Sequence, residues 1–166
     1  NHEDTIKCRA TLLDEASTEA DILYHCFQDS LDTTACETYR QVYIREKVRK
    51  GMFRIRISME SGFSPKSMEP EHWTMYLEHA KGVMIEPVDI TASAVTSLED
   101  SIYSDFYRIN LPRHLMTRDL ILYFNRETFF GEDLLSSENP FIVLVIIKDQ
   151  KTLIRLAWKT SVFPKK

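Results

Sequence analysis

A chain of 166 residues that is 43% hydrophobic and 28% charged, with only 4 Gly and 6 Pro, has the make-up of a folded domain rather than a disordered or fibrous one. At that length about 70% of the unfolded chain's surface can be buried, so neither a metal nor a disulfide is required to hold it together. The net charge of −4 offers no general attraction to nucleic acid or anionic membrane, and the longest apolar run, seven residues, is too short to span a bilayer.

In chain order, Ile6 to Leu12 alternates apolar and polar residues as a half-buried strand does. Ser17 and Thr18 then precede an apolar set at Ile22, Leu23, Cys26 and Phe27, which predicts a helix from about Thr18 to Ser30 with that set facing inward. A second helix fits Thr34 to Lys50, capped by Thr33 or Thr34 and ended by Gly51. Met52 to Met59 is the cleanest alternating strand: Phe53, Ile55, Ile57 and Met59 share a buried face, and Arg54, Arg56 and Ser58 a wet one. Pro70 suits a helix start, and Trp73, Tyr76, Leu77 and Ala80 fall at helical spacing before Gly82, so a third helix is expected there. Further strands are expected over Val83 to Ile90, Tyr103 to Leu111 and Leu120 to Phe124. Phe129 to Glu132 and Leu134 to Glu138 read as a short helical or turn insertion.

Phe141 to Lys148, FIVLVIIK, reads as the central strand, apolar on both faces and needing cover on both. Asp149 to Lys151 should turn it back into Thr152 to Trp158 as a hairpin. The predicted fold is α+β: a single domain over residues 1–166, with a mixed, mainly antiparallel sheet covered by about three helices. The chain opens on Asn1 rather than Met and reads as a segment cut from a longer protein.

The residues that carry chemistry elsewhere form no constellation here. His2, His25, His72, His79 and His114 include no H-E-x-x-H, and His72 and His79 are seven apart, so neither a metal nor a general base is assigned. Cys8, Cys26 and Cys36 are odd in number and lack C-x-x-C spacing. That pattern leaves one thiol over and favours a reducing cytoplasmic or nuclear compartment over secretion, with Cys26 as a small core residue. Glu99-Asp100 and Glu132-Asp133 read as solvated carboxylates. Phosphate-cradling glycine motifs and a nucleophile elbow are absent, so no catalytic residue and no cofactor is expected.

One charge feature stands above background. Arg40, Arg45, Lys47, Arg49, Lys50, Arg54 and Arg56 fall within seventeen residues, opposed only by Glu46. The second helix would hand its basic end to the exposed face of the next strand, so Arg45, Arg49, Arg54 and Arg56 are the candidate partner-binding residues, docking an acidic segment. The same residues could meet phosphates of nucleic acid, for which Tyr39 and Tyr43 are the only nearby stacking candidates. The plain alternative is a solvated helix end favoured by the helix dipole.

In the second half, Lys81-Gly82-Val83-Met84-Ile85, Glu99 to Ile109 (EDSIYSDFYRI), Leu122-Tyr123-Phe124 and Phe141 to Ile146 resemble, in order and spacing, the C-terminal domain of the phytanoyl-CoA hydroxylase-interacting protein family. Ser104 stands where that pattern has glycine, and the fibronectin type III domain that precedes it in the family is not in this sequence. The resemblance implies a non-catalytic adaptor domain that binds another protein, and brings no catalytic residues. A protein-interaction or scaffold module is therefore the leading expectation. A nucleic-acid-associated domain using the basic segment is the second, and a degenerate enzyme-like domain the third.

Overall fold

Two antiparallel sheets face each other across a continuous apolar core, and a helical hairpin lies on the outside of one of them. The structure, a computed structural model, describes residues 6–13, 15–49, 52–62, 65–79, 82–104, 109–129, 131, 134, 141–148, 150 and 152–159. The first sheet contains β1 (Ile6–Leu13), β2 (Met52–Ser61), β5 (Asp89–Ala92), β6 (Thr96–Ser104) and β7 (Ile109–Asn125), in the order β1-β2-β7-β5. β6 continues along the β5 edge of the long β7, beyond residues 93–95. The second sheet runs β4 (Met84–Ile85), β3 (Trp73–Glu78), β8 (Phe141–Lys148), β9 (Thr152–Lys159).

Period-two patterning explains the core. Ile55, Ile57 and Met59 of β2 and Leu120, Leu122 and Phe124 of β7 point inward from one sheet. Met75 and Leu77 of β3 and Ile142, Leu144 and Ile146 of β8 meet them from the other. Each such side chain, fully withdrawn from water, contributes about 1.5–3 kcal/mol. Arg118 closes one end of the sandwich. Its guanidinium donates to Ser93 O at 3.0 Å and to Glu69 at 2.6 Å, tying the turn before β3 to the break between β5 and β6.

The class is α+β, but two expectations are corrected. There are two helices rather than three among the described residues, and two sheets whose recorded pairings are all antiparallel rather than one mixed sheet. The third helix is strand β3, entered through a 3-10 turn at Pro70–His72. Trp73 and Leu77 fit either period. Met75 decides, because alternation buries Trp73, Met75 and Leu77 against the core while β8 supplies a full ladder of partners. Of the strand expected over Tyr103 to Leu111, Tyr103 and Ser104 end β6 and Ile109 to Leu111 begin β7, which pairs with it, while residues 105–108 lie outside the described residues. Most of the expected insertion at 129–138 also lies outside it. Val83 to Ile90 divides into β4 and the start of β5.

β8 is an interior strand and forms the expected hairpin with β9. Its inner residues are covered by the opposite sheet. On its outer face Val145 is 1% exposed, whereas Phe141 is 48% exposed. Replacing Val145 by Asp is expected to abolish cooperative unfolding, because it would bury a carboxylate with no partner; a thermal transition like that of the wild type would contradict its placement.

Candidate functional site

The two helices between β1 and β2 are built by local rules and then held by charge. α1 (Glu15–Gln28) ends in a Schellman motif: Leu31 N–H donates to Cys26 O at 2.9 Å and Ser30 N–H to Phe27 O at 3.1 Å, with Ser30 left-handed at φ 51°. α2 (Thr33–Lys47) is capped not by Thr33 or Thr34 but by Asp32, whose carboxylate accepts from Ala35 N–H at 2.8 Å. A disulfide between Cys26 and Cys36, Cα atoms 5.4 Å apart, joins the two helices near their connecting turn. His25, Tyr39 and Tyr43 then run along the seam with ring centroids about 6 Å apart.

Thr18, Ile22 and Cys26 are the buried residues of α1. The wet arginine face expected of β2 is therefore a covered face. Register aligns Leu13, Arg54, Tyr123 and Asp89 in one row across β1, β2, β7 and β5, and Thr11, Arg56, Ile121 and Thr91 in the next. Arg54 is 4% exposed and donates to Thr18 Oγ1 at 2.6 Å. Arg56 forms an ion pair with Asp21, which also accepts from the Tyr43 hydroxyl at 3.4 Å. Burial works against the Arg56 charge, yet the hydrogen bond to Asp21 and the nearby carboxylates raise its pKa overall.

Arg49, just beyond α2, pairs with Asp89 and lies 4.0 Å over the Tyr123 ring. The hydrogen bond from Arg49 holds the Asp89 carboxyl below the usual aspartate range. Arg40 pairs with Glu19 and Glu37.

Of the four candidate partner-binding residues, Arg49, Arg54 and Arg56 are thus brought together on one sheet face, where their contacts are made inside the domain. Arg45 stands apart at 75% side-chain exposure, beside Glu46 at 3.6 Å. Local sequence hid this arrangement, because the opposing acids Glu19, Asp21 and Asp89 come from distant stretches. The open surface is instead apolar. Leu23 is 52%, Tyr24 60% and Phe27 80% exposed on the side of α1 away from the sheet, so the expected inward set is corrected to Ile22 and Cys26 with Leu23 and Phe27 outside.

Among the described residues no group of three His, Cys, Asp or Glu side chains could hold a metal. His25 and His72 are exposed, and His79 is buried with neither ring nitrogen hydrogen-bonded. Glu99 and Asp100 lie on β6; His2 and the Glu132-Asp133 pair lie outside the described residues. No helix among the described residues is long and apolar enough to cross a membrane. No family model, curated protein or solved structure matches the chain.

The structure also pairs two of the three cysteines. An odd count leaves one thiol over, and with Cys26 and Cys36 bridged that thiol is Cys8. Burial pushes the Cys8 thiol up to about 11, with Lys148 pulling the other way, so it stays protonated and unreactive at neutral pH. Thiol titration of the native protein is expected to give almost no rapid reaction, one thiol on unfolding without reductant, and three after reduction. Fast labelling of two or more native thiols would contradict the bridge.

Proposed function

We propose that the chain is a non-catalytic protein-interaction module, an adaptor domain whose partner docks on the outward face of α1. The observation that carries this reading is the placement of Leu23, Tyr24 and Phe27, each more than half exposed, on one helix face, with the small Ala16 and Ala20 exposed beside them. Large aromatic and aliphatic side chains grouped in this way are the anchors from which interfaces draw most of their energy. The Cys26–Cys36 bridge and the Asp32 cap fix the hairpin beforehand, so little ordering entropy opposes binding. The resemblance in the second half of the chain points to the same class of function.

Charge selects the kind of partner. Asp29 and Asp32 are exposed in the turn that follows Phe27, while Arg49, Arg54 and Arg56 are engaged beneath the hairpin. A partner offering an apolar groove with a basic rim suits this surface better than the acidic segment suggested by the arginine-rich stretch. The same internal pairing leaves phosphate contacts with little support, which weakens the nucleic-acid reading. A bridged hairpin fits an oxidising compartment.

Substituting Leu23 and Phe27 together by Ser should leave the thermal midpoint within a few degrees of wild type and abolish partner capture, because both side chains lie outside the core. Recovery of the same partners by the double variant would exclude this face as the docking surface.

A further inference from the structure

β1 is a long sheet edge without the usual protections. Its eight residues pair with β2 through consecutive partners, from Ile6 with Ser61 to Leu13 with Arg54, and no strand among the described residues pairs with its other side. Alternate residues of such a strand direct their N–H and C=O groups away from the sheet. Folded proteins blunt a free edge with proline, a bulge or an inward-pointing charge. β1 has no proline, an unbroken register, and an inward row of Ile6, Cys8, Ala10 and Leu12. That row packs on the core yet stays only half-buried, so the sandwich is open along this side. β9 is the corresponding edge of the second sheet, since Lys148, which pairs with its first residue, acts on Cys8. Its inward Ile154, Leu156 and Trp158 are half-buried in the same way. The outward row of β1 sets the chemistry of what can be added there. Lys7 and Arg9 are exposed, with Glu60 opposite Lys7, Ser58 opposite Arg9 and Asp119 one strand further on. Neither cation has an ion-pair partner among the described residues, whereas Arg155 of β9 is taken by Glu78.

We propose that β1 takes up an extended segment of another protein as an added strand, one that alternates apolar and acidic residues. Residues directly opposite on paired strands share a face. Acidic side chains at alternate positions would therefore meet Lys7 and Arg9, and the apolar ones between them would extend the row of Ile6, Cys8 and Ala10 over the open side of the core. Main-chain hydrogen bonds supply the affinity of such an addition, and the alternation supplies its specificity. A second copy of β1 suits the edge less well, because it would bring two more cations to the same face. This surface goes beyond the α1 docking face and does not involve Leu23 or Phe27.

The test is titration of the isotope-labelled protein with a blocked octapeptide of alternating Val and Glu, beside a Val-Lys octapeptide and the Val-Glu peptide with its amide nitrogens methylated. The Val-Glu peptide should bind saturably and shift the amide resonances of Ile6 to Leu13, and the methylated peptide, which cannot complete the ladder, should not bind. In the Lys7→Glu, Arg9→Glu double variant the preference should reverse, with the Val-Glu peptide bound about tenfold more weakly and the Val-Lys peptide bound in its place. Should that variant not fold, the preference of the wild type for the Val-Glu over the Val-Lys peptide decides the role of the two cations. Unmoved β1 amides at millimolar Val-Glu peptide, or equal binding of the Val-Lys or the methylated peptide to the wild type, would overturn the proposal. Self-association of the free protein through β1 would overturn it as well, since the occupant would then be a second copy.

Discussion

The proposed surface depends on how α1 is seated on the first sheet, with Thr18, Ile22 and Cys26 facing the sheet and the Asp21–Arg56 ion pair tying down one flank. At 100° per residue Thr18, Ile22 and Cys26 fall within an arc of about 80° that faces the sheet, with Asp21 on one flank of that arc and Leu23 and Phe27 beyond the other, toward water. Both partners keep about a quarter of their side-chain exposure, so the pair is neither a solvated surface bridge of 0–1 kcal/mol nor a fully buried one. The Tyr43 hydroxyl on the same carboxylate extends the contact to α2.

A charged interface is an unusual way to seat helices on a sheet, where an apolar layer would be expected. Only Ile22 and Cys26 of α1 are buried hydrophobics, and no residue of α2 is fully buried. Apolar burial alone would hold the hairpin weakly, and without defined orientation. Arg49, Arg54 and Arg56 supply directional contacts at separate points, and the disulfide limits how far the two helices can part. We read the polar seating as a device for orientation more than for stability.

Much of the sandwich was legible in the sequence because period-two alternation is a local signal. The Phe53 to Met59 alternation appears where that signal is strong, and the unbroken apolar run FIVLVIIK appears as a strand in a hairpin with β9. It failed where two periods coincide, as at Trp73 and Leu77, and where a second apolar set competes, as on α1, where Ile22 and Cys26 were grouped with Leu23 and Phe27 although the two pairs are turned about 100° apart. The arginine-rich stretch misled for a different reason. Counting charges along the chain finds only Glu46 there, yet Asp21 and Asp89 are brought in by folding. The disulfide was illegible because an odd cysteine count and the absence of a short motif carry no information about two helices meeting.

The orientation of α1 is the claim on which the docking surface rests, and side-chain accessibility in solution tests it most directly. With a soluble paramagnetic agent, methyl signals of Leu23 and ring signals of Phe27 should be strongly attenuated, while the Ile22 methyls, 0% exposed, remain sharp. Equal protection of Leu23 and Ile22 would mean that the helix is turned or covered, and would contradict the account.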